Sequence, residues 1–400
     1  MPGCWRLMLR FLVALLAVLT LLSTAQASPP LRLWYEKYEL NHALDTLIRD
    51  YSKHSGQAVI SSYVPTSDLR NTSIRAVVQG SAPDMMLVPS DFIGSRGLLR
   101  LSQAASSVID GIDPRAQASV ASRDGIYGVP LLFGNHLMLM YNRRLVAQPA
   151  TEWSQILAQK AAAEARGARI IGWKVTEMYW LIPFLTAFGA DPVVDGKLRM
   201  NTPQMAQALS FYRQQLDSGL INPRCSYECS HELFADGIYA YSINGDWALH
   251  ALRARMGSKL AIAPLPSING QPMRPYSGSI ALVFPNDRLN GPRGAALLDF
   301  ARYLLSADAQ RQLLKAGALL PVNKAVLAEQ TAKLDDNGRA RMQQLELSLP
   351  MPPEPEMAAA WIGLNKGFVQ FMRRRAEPEA AAALMQQVAE QELLRLNAHQ

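Results

Sequence analysis

Between residues 31 and 88 the chain reads LRLWYEKYELNHALDTLIRDYSKHSGQAVISSYVPTSDLRNTSIRAVVQGSAPDMMLV, and the rhythm of this stretch decides the fold. Leu31 to Tyr35 is a short β run. From Asn41 the spacing changes: Leu44, Leu47, Ile48 and Tyr51 recur at helical period, with Asn41 placed to cap. Gly56 ends the helix, and Ala58-Val59-Ile60 begins the next strand. A second helix covers Asn71 to Val78, broken by Gly80 and Pro83. Met85-Met86-Leu87-Val88 is then apolar at every position, the pattern of a strand buried on both faces of a parallel sheet.

The same alternation continues outward. His136 to Tyr141 starts a second set of elements, with helices expected over Glu152–Arg166, Tyr179–Phe188 and Pro203–Asp217 and strands over Arg169–Trp173, Tyr239–Ser242, Leu260–Ala263 and Ser279–Phe284. A following helix places Leu297, Phe300, Ala301, Leu304 and Leu305 on one side, and the tail beyond Pro350–Pro355 is helical again. Alternating strands and helices predict an α/β protein with a parallel sheet covered on both faces. A ligand is then expected beyond the carboxyl ends of the strands.

Composition narrows the class. Four hundred residues suffice for two lobes of ordinary domain size. An apolar fraction of 49% against 18% charged is the balance of a folded globular chain. Residues 1–27 form an export leader: Arg6 and Arg10, the apolar run Phe11 to Leu22, then Ala25-Gln26-Ala27 as a small-x-small cleavage site. The run is too short for a retained anchor, and no cysteine stands at the cleavage point to take a lipid. Export places the protein in the periplasm, and its scattered charges argue against nucleic acid. Arg373-Arg374-Arg375 is the densest basic cluster and reads as a solvated helix face. In an oxidising compartment, Cys225 and Cys229 are expected to close a small loop; the zinc reading would need His231, Glu228 and Glu232 as further ligands.

Several chemistries leave no mark. There is no G-x-S-x-G elbow, P-loop or glycine-rich dinucleotide turn. His231-Glu232 opens an H-E-x-x-H motif, but Ala235 stands where the second histidine belongs. No catalytic residues, cofactor or metal are assigned.

Six segments in order carry a resemblance. They are Trp34 with Tyr51-x4-Gly56; Gly80-Ser81-Ala82-Pro83-Asp84; Tyr127-Gly128-Val129-Pro130 followed by Leu139-Met140-Tyr141-Asn142-Arg143; Trp153 after Pro149; Ile243-Asn244-Gly245-Asp246-Trp247; and Leu320-Pro321-Val322-Asn323. Over Leu31 to Glu390 the chain resembles the bacterial extracellular solute-binding proteins of the maltose-binding type, the capture subunits of sugar-importing ABC transporters. The resemblance implies a type II periplasmic-binding-protein fold with two discontinuous lobes joined by a hinge. Lobe one would be 28–132 plus 279–334 and lobe two 133–278 plus 335–400. It further implies a monomer that closes on a sugar and docks on an ABC permease.

Sugars present hydroxyls and flat C–H faces, so a sugar cleft mixes rings with carboxylates and amides. The resemblance picks out Trp247, Tyr179 and Trp361 as rings and Glu177 and Asp91 as acceptors. It adds Tyr38 and Glu39 in the first loop, Asn135 at one crossing, and Tyr276, Ser277 and Gly278 at the return crossing. Several have a plainer reading: a core ring for Trp247, hinge-side packing for Trp361, a helix cap for Asp91, an exposed charge at a helix start for Glu177, a solvated loop for Tyr38 and Glu39, and a turn for Asn135. Val88 departs from the maltose protein, which has a tryptophan there, so maltose is not assumed. The alternatives are a non-sugar solute (polyol, polyamine, metal or phosphorylated compound), a sensor for a membrane kinase, and a hydrolase using Asp91 and Glu177.

Overall fold

The structure is a computed structural model that describes residues 28–316 and 319–398; the leader expected over residues 1–27 lies outside the described residues. The chain starts with β1 (Leu31–Tyr35), β2 (Val59–Tyr63), β3 (Met85–Pro89) and β4 (Val129–Gly134). It passes to β5 (Leu137–Asn142), β6 (Arg169–Gly172), β7 (Tyr239–Gly245) and β8 (Leu260–Ala263), then returns through β9 (Tyr276–Val283), β10 (Leu320–Pro321) and β11 (Leu349–Pro350). Two sheets result. One has the order β10-β4-β9-β3-β1-β2, with β11 added to β9; the other has the order β8-β5-β7-β6. Each supports its own hydrophobic core.

The opening elements follow the periodicity. The helix Asn41–Ser55 buries Ala43, Leu44, Leu47, Ile48 and Tyr51 and ends at Gly56. The helix expected from Asn71 begins earlier, at Thr66, directly after Pro65. Asn41 makes no capping bond; its Oδ1 instead accepts from the Tyr35 hydroxyl at 2.9 Å.

The expectation of a parallel sheet needs correction. Strands β1, β2 and β3 are mutually parallel, but β9 runs antiparallel to both β3 and β4. The second sheet is also mixed, with β5 antiparallel to β7 and β8. The cause is the crossing itself. The chain leaves the first lobe along β4 and re-enters along β9, and two strands through one gap, paired Gly134 to Gly278, run in opposite senses. β4 continues to Gly134 and β5 begins at Leu137, so Asn135 and His136 join the two sheets.

This topology aims everything at the gap. The carboxyl ends of β1 and β3 lie at the end of the first sheet where β4 exits and β9 enters. In the second sheet Gly245, the last residue of β7, pairs with Leu137, the first of β5, and β6 runs parallel to β7. The loops after β1, β3, β6 and β7 therefore face one another across the passages, where ligands of such sheets bind.

The C-terminal helices Pro355–Met372 and Pro378–Asn397 add Met357, Leu364, Phe368, Phe371, Met385 and Ala389 to the second core. Among the described residues, no helix is long and apolar enough to cross a membrane. The two helices approach closely at Gly367, where a Cβ would sit 2.6 Å from the Ala381 carbonyl oxygen. Gly367→Ala gains about 1 kcal/mol of helix propensity but forces the helices apart. A net loss of about 1–3 kcal/mol is expected in the denaturant midpoint. An unchanged midpoint would show that the contact yields freely.

Candidate functional site

The loop after β7 carries Asp246 and Trp247, and the helix Met178–Thr186 begins just after the β6 loop. Tyr179 sits in the first turn of that helix, with ring centroids 6.2 Å from Trp247 and 6.1 Å from Trp361. Tyr276 meets Trp361 edge-on at 6.1 Å. Of the adjacent pair Tyr179-Trp180, Trp180 is fixed in the second lobe: its indole N–H donates to the Ile243 carbonyl at 2.8 Å. Tyr179, Trp247 and Trp361 are each only half-buried, and Trp247 packs against both cores. Three partly open rings from separate elements thus converge at the junction of the lobes.

Charges from the first lobe face these rings. Lys37, past the end of β1, lies with its Nζ 5.1 Å from the Trp247 ring centre, within cation–π range, and pairs with Glu36 at 3.3 Å. Asp91, past the end of β3, pairs with Arg70 at 3.2 Å. Burial pushes the Asp91 carboxyl up from its ordinary range, the Arg70 guanidinium pulls it back, and Glu36 pushes it up again. Glu36 and Asp91 thus each stand paired with a cation on this wall. The Trp361 indole N–H is buried without a hydrogen bond of full geometry.

Other expected residues fall as follows. The Tyr179 hydroxyl donates to the backbone carbonyls of Asn135 and Tyr276, so it ties both passages together rather than standing open to a solute. Burial raises its pKa well above the ordinary tyrosine value. Asn135 adopts a φ of 46°, and its side-chain oxygen is buried without a partner. The Tyr276 hydroxyl is engaged with Asp191 at 2.5 Å, and Ser277 bonds the Leu349 carbonyl at 3.3 Å. Gly278 faces Ser90 and Met351, where a Cβ would lie 3.0 Å from the Ser90 hydroxyl. Glu177 pairs with Lys174 at 3.2 Å. Tyr38 is 64% exposed and packs edge-on against Tyr63 of β2, outside the ring cluster. Glu39 is exposed but close enough to act electrostatically on Tyr227 of the second lobe. Val88 lies fully buried in β3 and offers the site nothing.

The sequence reading missed Glu36, Lys37, Arg70, Trp180 and Tyr227. Glu36 and Lys37 were within reach of the strand-end rule; Arg70 reaches Asp91 from a different helix, which no local signal reveals. Tyr227 sits inside the loop closed by a Cys225–Cys229 disulfide. It stacks on His231 and accepts a hydrogen bond from the Trp247 indole at 3.2 Å. Burial pushes its pKa up to about 12. The loop staple thus supports a ring of the site, while no group of three or more metal-ligating side chains occurs among the described residues.

Beneath the rings, His136 and Asp246 are fully buried, and Arg341 is 8% exposed. Arg341 donates to Asp246 at 2.9 Å, and His136 Nδ1 lies 3.5 Å from the same carboxylate oxygen. Gly134, at φ 113°, leaves the space this carboxylate occupies; a Cβ there would collide with it. Burial lowers the His136 pKa to about 4, against an opposing pull from Asp246 and a further push from Arg341. The folded protein therefore refuses a proton that the unfolded chain takes up below about pH 6.5. This group's contribution is intact above that pH, declines as pH falls toward 4, and amounts to about 3 kcal/mol. Urea midpoints at pH 7 and 4.5 should diverge more in the parent than in His136→Gln; equal divergence would dismiss the histidine as the cause.

A surface cavity of about 700 Å³ lies elsewhere, on the outer face of the second lobe beside Phe188, Gln207 and Phe211, and shares no residue with the ring cluster.

The family model of the bacterial extracellular solute-binding proteins matches residues 46–340. Two maltooligosaccharide ABC transporter solute-binding lipoproteins of Streptococcus pneumoniae, from serotype 4 strain TIGR4 and strain R6, are each 24% identical over 305 residues. Each match covers 70% of this chain and 70% of the relative. Among solved structures, the maltose/maltodextrin-binding domain MalE from Bdellovibrio bacteriovorus, bound to maltotriose, aligns with TM-score 0.84 at 23% identity. That alignment covers 92% of this chain and all of the other. With the family model spanning well over half of the residues and the two-lobed type II architecture in place, the chain belongs to the bacterial extracellular solute-binding protein family.

Proposed function

We propose that this protein captures an oligosaccharide between its lobes and presents it, unaltered, to an ABC importer. The observation that carries the reading is the convergence of Tyr179, Trp247 and Trp361 at the lobe junction. Rings so placed offer flat faces to sugar C–H surfaces, and the paired charges Glu36–Lys37 and Asp91–Arg70 supply hydroxyl partners. The names of the pneumococcal relatives and the maltotriose in the Bdellovibrio domain support an α-glucan ligand. Glu39, Asn135, Glu177, Tyr276, Ser277 and Gly278 then belong to the rim and floor. Binding free energy is the output: solute bridging both walls favours the closed arrangement by its differential affinity. The protein acts as a monomer in the periplasm after cleavage at Ala27, with no catalytic step.

Isothermal titration with maltose, maltotriose and maltotetraose is the test. Saturable binding is expected, with a thermal stabilisation of about 2.7 kcal/mol at one hundred times the dissociation constant. Silence toward these sugars, alongside a clear response to a polyamine, metal or phosphorylated compound, would overturn the sugar assignment.

A further inference from the structure

A separate cavity of about 300 Å³ opens beside the His136–Asp246–Arg341 cluster and includes none of the cleft rings. Its walls come from both lobes. Leu320 of β10 and Lys333 belong to the first; His250 and Arg253, on the helix Leu249–Met256, belong to the second. Arg341 and Met342 of the helix Asp336–Leu347 line it between them.

The lining is strongly basic. His250, Arg253, Lys333 and Arg341 face a single carboxylate, Asp335. That carboxylate is already occupied: one oxygen caps the helix through the Gly338 N–H at 2.7 Å, and the other accepts from Arg253 at 3.4 Å. Glu329, which Lys333 reaches electrostatically, is paired with Arg311 at 2.8 Å. Arg341 gives one guanidinium nitrogen to Asp246, while its Nε–H is buried with no partner. An unpartnered buried donor is costly, and a charged acceptor relieves it. The volume falls at the small end of ligand sites, too little for an oligosaccharide and enough for a compact ion.

We infer that this cavity binds a small anion carrying at least two negative charges on phosphoryl or carboxylate groups. The anion ties Lys333 of one lobe to Arg253 and Arg341 of the other. It also competes with Asp246 for Arg341, and Asp246 precedes Trp247 in the chain, so the cavity is coupled to the solute cleft. Only this coupling rests on the solute-capture reading.

The experiment titrates the full chain with pyrophosphate and with citrate at constant ionic strength, followed calorimetrically. Saturable one-site binding is expected with at least one of them, and the stronger identifies the phosphoryl or the carboxylate source. Lys333→Ala and Arg253→Ala, both at exposed positions, should each weaken it about tenfold. Maltotriose affinity should shift about threefold or more at saturating anion, with the reciprocal shift in anion affinity. Absence of saturable heat from both anions, or binding undiminished in both variants, overturns the site; an unmoved maltotriose affinity overturns the coupling. If maltotriose does not bind at all, the capture function fails while the anion titration still decides the cavity.

Discussion

Replacing Asp246 by alanine should cost the folded protein about 3–5 kcal/mol, because it strands the buried Arg341 guanidinium. The pair is enclosed: Asp246 is fully buried, Arg341 nearly so, and their contact is 2.9 Å. A charge taken from water is tolerated only while its partner and hydrogen bonds replace the lost solvation. Removing Arg341 alone is as harmful, leaving a carboxylate beside a neutral imidazole. The informative comparison is the joint replacement Asp246→Leu with Arg341→Met. It removes both charges and should recover most of the loss, since buried pairs contribute little net stability over apolar packing. Guanidinium denaturation of the three variants completes the cycle. If the joint replacement is no better than the worse single one, the pair is doing something other than mutual compensation.

Trp247→Ala should weaken maltotriose binding about 100-fold, near 2.8 kcal/mol, with Trp247→Phe retaining much of the affinity. This ring touches both cores, contacts Tyr179, carries Lys37 against its face and is braced by Tyr227. A ligand closing the lobes must meet it. Because the indole is half open, the alanine variant should fold, and its thermal midpoint, measured beside the titration, separates loss of a stacking face from loss of the lobe. A change below threefold in affinity would remove Trp247 from the cleft wall and with it the central support for sugar capture.

Local chemistry accounts for how much could be read in advance. The helical face Leu44, Leu47, Ile48 and Tyr51 is buried as its spacing requires, and Met85 to Val88 is buried at all four positions. The helix Gly294–Leu305 likewise buries Leu297, Phe300, Ala301 and Leu304, with Leu305 only partly covered. β4 was harder to see: Pro130 interrupts its run, and β9 and β10 on either side decide that it is a strand. The early start of the second helix follows from Pro65, whose preset φ initiates a turn that apolar spacing from Asn71 does not register.

Site residues divide along the same line. Trp247, Tyr179 and Trp361 lie in segments that the resemblance picks out, and their rings converge, with the Asp91 charge near enough to act on Tyr179. That the Tyr179 hydroxyl would be consumed by two passage carbonyls, or that Tyr38 would lean on Tyr63, could not be foreseen from neighbours in sequence. These outcomes depend on contacts between residues 25 to 97 positions apart.

By itself the amino-acid order determined that strands and helices alternate and which faces they bury, because period and backbone preference act over a few residues; the candidate rings were legible only through their resemblance to family motifs. Tertiary structure alone decided that β4 and β9 share one gap in opposite directions, that Arg341 answers Asp246 beneath the rings, and that a basic cavity spans both lobes. Those features arise where segments remote in the chain exclude water together, and the energy of a buried charge or a stacked ring depends on what surrounds it rather than on what precedes it.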